Sequence, residues 1–264
     1  MKSIKDLVAG DLLKLGIKNT SSEKCEVCNY GTKVTIEKEN GETFSSCKHC
    51  EDKKLVKDLG IPETKEGRDV LRTKARANAF DRTPKDLFDV KLNDYVTETE
   101  QQKKAKKEAA DFVINFDKER SLVLSGKPGV GKSHIAVAIA NALRKDYSVL
   151  FLKSNDILTI IQGSYNGSSH SEQDLIDACK DVDLLVLDDL GAEYSKVSDS
   201  ESWASTKLFS VLDNRLGKSV IVTTNYSETQ IIEKFGMNGE RIVSRMNDNA
   251  ELIRLIGKDG RRKQ

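Results

Sequence analysis

A glycine-rich stretch from Ser125 to His134, SGKPGVGKSH, has the composition and spacing of a phosphate-binding loop. Its glycines allow successive backbone N–H groups to turn toward a polyphosphate, and the positive end of the following helix points at the same anion. Lys132 would supply a mobile charge to the β- and γ-phosphates, and the Ser133 hydroxyl would bind Mg²⁺. We therefore predict that ATP is held by a continuous run of residues: Gly126, Lys127, Pro128, Gly129, Val130, Gly131, Lys132, Ser133 and His134.

Two adjacent carboxylates close an apolar run at Asp183–Leu190, DLLVLDDL. The run predicts a buried parallel strand, and α/β proteins bind ligands at the carboxyl ends of such strands. Because a phosphate-binding loop precedes them, we expect Asp188 to support Mg²⁺ and Asp189 to polarise the attacking water. This is a Walker B pattern, which would be a weak signal in isolation.

A second apolar run, Ser219–Asn225, has the sequence SVIVTTN and ends in an amide. It predicts another buried strand. Asn225 could hydrogen-bond a γ-phosphate or water, or it could cap the helix that follows. The residues alone leave both roles open.

Four of the five cysteines form two C-x-x-C pairs, Cys25 with Cys28 and Cys47 with Cys50. Four thiolates at this spacing can close a tetrahedral structural zinc site. The fifth, Cys179, is expected to be a small core residue. A disulfide framework is not expected in a cytoplasmic chain of this length.

The segment between the two cysteine pairs reads as a hairpin. Lys33–Glu37 alternates as a strand does, and Asn40-Gly41 is a favoured dipeptide of tight turns. Two C-x-x-C pairs on either side of a hairpin predict a zinc ribbon. Reduced cysteines without metal are one alternative, and His49 in place of Cys47 or Cys50 is another.

The apolar periodicity predicts the elements that position these groups. A short strand precedes the phosphate-binding loop, and an alanine-rich helix, Lys132–Lys145, follows it. Further strands alternate with helices to the end of the chain. We predict an α/β fold with a P-loop three-layer αβα domain on a parallel sheet, preceded by a small zinc-ribbon-like domain.

Composition narrows the class of protein. The 264 residues carry 43 basic and 42 acidic side chains, a net charge of +1, so any nucleic-acid contact must come from local patches. No apolar run approaches the roughly 20 residues that span a bilayer, and the amino terminus lacks a signal peptide's apolar segment. We expect a cytoplasmic protein with no membrane partner.

The chain divides, by prediction, into a zinc-binding and partner-binding domain at 1–75, a linker at 76–97 and an ATPase domain at 98–264. Residues 2–16 have the spacing of an amphipathic helix, which would pack on the zinc module or dock on a partner. The basic side chains between Glu51 and Asn78 would form a solvated helix face or contact phosphate backbones.

The chain resembles the AAA+ ATPases in the order of its motifs: the phosphate-binding loop, the Walker B strand, the strand ending in asparagine and an R-x-x-x-R helix. Within that superfamily, LDDLGAE (Leu187–Glu193), IVTTNYS and GERIVSRM (Gly239–Met246) closely resemble the DnaC/DnaI-type replicative helicase loaders. IstB-type transposition ATPases share the same core. The resemblance covers about residues 80–262. The amino-terminal module resembles the helicase-binding domain of the DnaI-like branch in cysteine spacing and domain order.

This resemblance implies roles for single residues. Asn225 would be the sensor-one residue, and Arg245 an arginine finger that reaches a neighbouring subunit's nucleotide. Arg261 matches the sensor-two motif, with Arg262 as the alternative because a glycine precedes Arg261. Asp189 replaces the glutamate common in other AAA+ proteins, as is usual for the loaders.

The function implied is ATP hydrolysis that loads a hexameric DnaB-type helicase onto single-stranded DNA at replication initiation, with self-association through the AAA+ domain. ATP, Mg²⁺ and Zn²⁺ would be the bound groups. One alternative is an IstB-like helper of DNA transposition, in which a zinc ribbon is unexpected. Another is an interaction module, such as a phage protein that sequesters the helicase, against which intact Lys132, Asp188, Asn225 and Arg245 argue. Host or phage origin is left open.

Overall fold

The structure is a computed structural model that describes residues 17–60, 62, 64–165, 170–192 and 203–260. These residues form two compact units, the first ending at Leu71 and the second beginning at Arg72. The amphipathic helix predicted at 2–16, and both Arg261 and its alternative Arg262, lie outside the described residues.

The first unit is a three-stranded antiparallel sheet in the order β1-β2-β3, followed by a helix. Its elements are β1 (Ile17–Lys24), β2 (Thr32–Lys38), β3 (Thr43–Cys47) and α1 (Lys48–Asp58). The predicted hairpin joins β2 to β3, and Gly41 donates its N–H to the carbonyl of Lys38 within the turn. β1 was not predicted, because its sequence IKNTSSEK has no apolar alternation.

The second unit contains a five-stranded parallel sheet in the order β5-β6-β7-β4-β8. Its strands are β4 (Ser121–Gly126), β5 (Val149–Lys153), β6 (Leu184–Leu190), β7 (Val220–Thr224) and β8 (Ala250–Leu255). The three central strands are almost continuously apolar, as expected of strands covered on both faces.

Helices lie on both faces of this sheet. They are α3 (Glu100–Ile114), α4 (Lys132–Leu143), α5 (Ser154–Ser164), α6 (Glu172–Asp181), α7 (Trp203–Asp213), α8 (Glu228–Phe235) and α9 (Gly239–Met246). Another helix, α2 (Lys65–Phe80), begins in the first unit and ends in the second. None of the helices in the described part of the chain is long and apolar enough to cross a membrane.

Two apolar layers hold the second unit together. One layer packs the alanine-rich α4 and α3 against alternate side chains of the sheet, among them Leu124, Val186 and Ile221. The other packs α5 to α9 against the intervening side chains, such as Leu187 and Val222. The predicted three-layer α/β class is confirmed. The segment predicted as a linker contributes Phe80 and Tyr95 to these layers, with 2% and 6% of each residue exposed.

Candidate functional site

The phosphate-binding loop joins β4 to α4 at the carboxyl edge of the sheet. Gly131 has a φ of 95°, and a Cβ at this position would lie 2.5 Å from Cε2 of Tyr95. The hydroxyl of Tyr95 donates to the carbonyl of Val130 at 2.9 Å. Both the left-handed backbone and the nearby ring therefore require glycine here, and Tyr95 packs against the loop.

Lys132, the first residue of α4, is buried in the loop with 6% exposed. Its Nζ donates to the carbonyls of Gly126 and Lys127, both at 2.9 Å, and to Oδ1 of Asn225 at 2.6 Å. The ammonium group is thus held at the mouth of a loop whose N–H groups suit an anion.

Asn225 follows β7 and joins the lysine to the second Walker B carboxylate. Its Nδ2 donates to Oδ1 of Asp189 at 2.9 Å while its Oδ1 accepts from Lys132. The helix that follows, α8, is capped instead by Ser227, whose side chain accepts from the N–H of Gln230. The Asn225 side chain therefore faces the candidate site and leaves the capping to Ser227.

Asp188 is buried at the end of β6, with 2% exposed. Its Oδ1 accepts hydrogen bonds from the Ser133 hydroxyl at 2.8 Å and from the Thr223 hydroxyl at 2.6 Å. Burial raises the pKa of Asp188, and the hydrogen bonds from Thr223 and Ser133 oppose that rise. A carboxylate beside a serine hydroxyl offers the hard oxygen atoms that Mg²⁺ prefers, so this pair fits the ion.

A cavity of about 1130 Å³ opens beside Lys132, Ser133, Asp189 and Asn225. It is lined by loop residues 128–134, by Asp189, Thr223 and Asn225, and by parts of residues 86–102 and 258–260. His134 lies at this cavity with its ring centroid 5.7 Å from that of Tyr95. Burial lowers the pKa of His134, so the imidazole is neutral at pH 7.

The family resemblance implies that Arg245 reaches a neighbouring subunit's nucleotide and that Arg261 is the sensor-two residue. Within the described residues, the cavity lining includes no atom of Arg245. Its side chain lies on α9 and pairs with Asp213. Arg261 lies outside the described residues, although the preceding segment reaches the loop, because the N–H of Gly260 donates to the carbonyl of Gly129 at 3.0 Å.

The first unit holds a second candidate site, the cysteine cluster. The Sγ atoms of Cys25, Cys28, Cys47 and Cys50 all lie within 4.8 Å of one another. Two of the separations are 3.7 Å, from Cys25 to Cys50, and 3.8 Å, from Cys28 to Cys47. A zinc ion with Zn–S bonds of about 2.3 Å requires sulfur separations of about 3.8 Å. The cluster therefore fits tetrahedral zinc, and among the described residues His49 is not part of it.

Backbone hydrogen bonds near the cluster stabilise the thiolate of Cys28. The N–H of Gly31 donates to Sγ of Cys28 at 3.2 Å, and this bond, with one from Tyr30, lowers the pKa of Cys28 to about 6. Burial raises the pKa of Cys50 to about 12, so this thiol does not ionise easily without a nearby cation. A Cβ on Gly31 would lie 2.6 Å from Sγ of Cys47, so this close approach also requires glycine.

The sequence model of the IstB-like ATP binding proteins matches residues 53–264. The chain belongs to this family. The match spans the whole second unit, including the phosphate-binding loop, both Walker B carboxylates and Asn225. The family resemblance predicted from the motifs is confirmed.

Individual relatives agree with the family match. The replicative helicase loader DnaC of Escherichia coli K12 is 32% identical over 157 residues, which cover 59% of this chain and 62% of the relative. The chain thus spans less than two thirds of that relative's length. A crystal structure of the DnaC helicase loader has a TM-score of 0.57 and 28% identity, covering 66% of this chain and all of that one. A crystal structure of DnaI, at 24% identity with a TM-score of 0.57 over 70% of this chain, shares the fold.

Proposed function

We propose that this protein is an ATPase that loads a hexameric replicative helicase onto single-stranded DNA. One observation carries the proposal: Asn225 accepts a hydrogen bond from Lys132 and donates one to Asp189. These groups lie beside the Ser133–Asp188 pair. The chain that holds them is similar to the replicative helicase loader DnaC. Such a loader needs a site that binds ATP, turns it over and changes its contacts with the γ-phosphate. This cluster provides groups for each step.

Binding is assigned to the loop. Its backbone N–H groups surround the phosphates, and Lys132 contributes an ammonium group that is already positioned at the loop mouth. The Tyr95 and His134 rings also line the cavity, and contact with the base is assigned to them. The residue types thus match the parts of a nucleoside triphosphate.

Hydrolysis is assigned to the two carboxylates. Asp189 orients the attacking water and accepts its proton, and the amide of Asn225 fixes the direction of the Asp189 carboxylate. Ser133 and Asp188 would hold Mg²⁺, and that ion when bound neutralises charge on the β- and γ-phosphates.

Assembly completes the site in this proposal. Arg245 is absent from the lining of its own subunit's cavity among the described residues, and its side chain is 30% exposed, which suits contact with a neighbour. In a self-associated ring or filament, it would act as an arginine finger on the next subunit's γ-phosphate.

Partner binding is assigned to the amino-terminal domain, residues 1–75, connected by residues 76–97 to the ATPase domain, residues 98–264. Zinc held by Cys25, Cys28, Cys47 and Cys50 would stabilise a unit too small to fold well on an apolar core alone. Large apolar side chains of this unit are exposed, including Tyr30 at 90% and Val27 at 86%, and they offer contact area to a protein partner.

The proposal is tested with the full chain, the replicative helicase of the same organism and circular single-stranded DNA. We expect the helicase to co-purify with the protein, and the amount of helicase on DNA to rise only when the protein and ATP are both present. Lys132→Ala should keep helicase binding and lose loading, because only the loop changes. Cys25→Ser should lose helicase binding but keep ATP binding.

If the protein fails to bind the helicase and instead binds duplex DNA together with a transposase of the same organism, it is a transposition helper. If the helicase binds but loads equally well with Lys132→Ala, then ATP does not drive the loading.

A further inference from the structure

Strands β6 and β7 fall out of register beside the candidate site. Leu187 pairs with Val222 and Leu190 pairs with Thr224, so Asp188 and Asp189 together lie opposite the single residue Thr223. This is a β-bulge, with one extra residue in β6. Bulges often occur next to active sites, where they redirect a side chain.

The bulge explains how two successive carboxylates serve one site. In a regular strand, Asp188 and Asp189 would point to opposite faces of the sheet. Here Asp189 has a φ of 59°, in the left-handed region that aspartate adopts at a cost. As a result, both carboxylates contact residues of the same site, Asp188 through Ser133 and Asp189 through Asn225.

The Thr223 side chain makes two hydrogen bonds to the two bulge residues. Its hydroxyl donates to Oδ1 of Asp188 at 2.6 Å and accepts from the backbone N–H of Asp189 at 2.9 Å. A hydroxyl can do both at once, since it is donor and acceptor. Thr223 is 1% exposed, so water cannot replace it readily. The hydroxyl therefore links the position of one carboxylate to the backbone of the other.

We propose that Thr223 is a positioning residue for ATP hydrolysis, which holds Asp188 and Asp189 in the mutual orientation that turnover requires. The inference rests on the proposed ATPase function and assigns Thr223 no contact with nucleotide phosphate. Valine has nearly the same shape but neither the donor nor the acceptor, so Thr223→Val leaves the Asp189 N–H without its partner. Binding residues of the loop are unchanged.

Two measurements on the full chain test this inference. In steady-state ATPase assays, Thr223→Val should lower kcat at least about ten-fold and change KM less than about two-fold, because misplaced catalytic groups affect turnover. In hydrogen exchange of the nucleotide-free protein, the Asp189 amide should exchange more than about ten-fold faster than in the parent. Thr223→Ser keeps the hydroxyl and should restore both values.

The neighbouring threonine provides a matched control. Thr224 is also 1% exposed, and its hydroxyl donates to the carbonyl of Leu190 at 2.7 Å and accepts from the N–H of Tyr226. Thr224→Val removes a buried hydroxyl of the same strand without touching Asp188 or Asp189. It should cost stability comparable to that lost in Thr223→Val and leave kcat within about two-fold of the parent.

Several outcomes would overturn the inference. One is a kcat equal to that of the parent in folded Thr223→Val protein. Another is a decrease in kcat in Thr223→Ser as large as in Thr223→Val. A third is an unprotected Asp189 amide in the parent, which needs no variant and so remains decisive if Thr223→Val fails to fold. A parent protein that hydrolyses no ATP would instead refute the proposed function, while amide exchange would still decide whether Thr223 anchors the bulge.

Discussion

Arg245 on α9 donates through Nε to Oδ1 of Asp213, the last residue of α7, at 2.7 Å. The guanidinium group also lies over the ring of Phe209, 5.9 Å from its centroid. Phe209 and Asp213 are one helical turn apart, so α7 presents an aromatic face and a carboxylate to the same arginine. Exposed ion pairs contribute only about 0–1 kcal/mol, so these contacts orient Arg245 without holding it firmly.

The first prediction concerns this arginine. Arg245→Ala should nearly abolish ATP hydrolysis by the assembled protein, by about 10³-fold or more, because an arginine finger stabilises transition-state charge. ATP binding should be retained. When Arg245→Ala protein is mixed with Lys132→Ala protein, each inactive alone, partial recovery is expected, since a mixed interface can pair an intact Lys132 with an intact Arg245.

Arg241 provides the control for that experiment. It lies one turn before Arg245 on α9, with its guanidinium 5.7 Å from the same Phe209 ring. Arg241→Ala removes a similar charge and a similar stacking contact, and it should leave turnover nearly unchanged. If mixing restores no activity although the two variants co-assemble, or if Arg241→Ala is equally inactive, Arg245 is not a finger acting between subunits.

The second prediction separates binding from turnover. Lys132→Ala should lose nucleotide affinity, because the loop loses its ammonium group. Asp189→Asn should bind ATP normally and hydrolyse it at least about ten-fold more slowly, since the loop, Ser133 and Asp188 are unchanged. Equilibrium titration with a fluorescent ATP analogue, together with phosphate release, measures the two effects.

Asp183 is the matched control for Asp189. It lies just before the opposite end of β6, where its carboxylate accepts from the N–H of Ser148 and pairs with Lys118. Asp183→Asn makes the same chemical change away from the cavity and should keep both affinity and turnover. Parent-like hydrolysis by Asp189→Asn would show that another group polarises the water.

The third prediction is that each chain binds about one zinc ion at the cysteine cluster. Protein purified without chelator should contain about one equivalent by elemental analysis, and Cys50→Ser should contain much less. Cys179→Ala is the control, because Cys179 is buried in the second unit and should not change the zinc content. Less than about half an equivalent in the parent would contradict the assignment.

Sequence patterns identified the parts of the site that are contiguous in the chain. Lys132, Ser133 and the two aspartates stand in motifs whose spacing alone implies a strand or loop beside a phosphate. The order of elements was equally readable, because central parallel strands are short apolar runs and their helices are longer. The strand β1 escaped prediction since its residues are polar and exposed, and its pairing with β2 sets its position.

Contacts that depend on tertiary packing could not be predicted. Thr223 lies in an ordinary β-type sequence, and its role depends on a register shift that no local pattern encodes. Tyr95 stands in a segment without clear periodicity, yet its hydroxyl reaches the loop 35 residues further along. Asp213 precedes Arg245 by 32 residues, so no local pattern near Arg245 indicates this acidic partner.

Arg215 is another residue whose role appears only in the folded chain. With 2% exposed, it is the largest fully buried side chain in the described residues. Its NH1 group donates to the carbonyls of Val182 at 2.6 Å and Cys179 at 3.2 Å, and its NH2 group donates to the carbonyl of Ser219. Burial lowers the pKa of Arg215 to about 10, so it is charged at neutral pH. One cation thus joins the end of α6 to the starts of β6 and β7.

The last prediction is therefore that Arg215→Met lowers the unfolding free energy of the second unit by about 3 kcal/mol or more, because several buried carbonyls lose their donor. Lys218→Ala is the control, since Lys218 donates to the carbonyl of Lys180 from an exposed position and should cost less than about 1 kcal/mol. Trp203 is the single tryptophan and lies in this unit, so its fluorescence during urea unfolding follows this unit. Equal losses in the two variants would show that the buried network contributes no more than a surface contact.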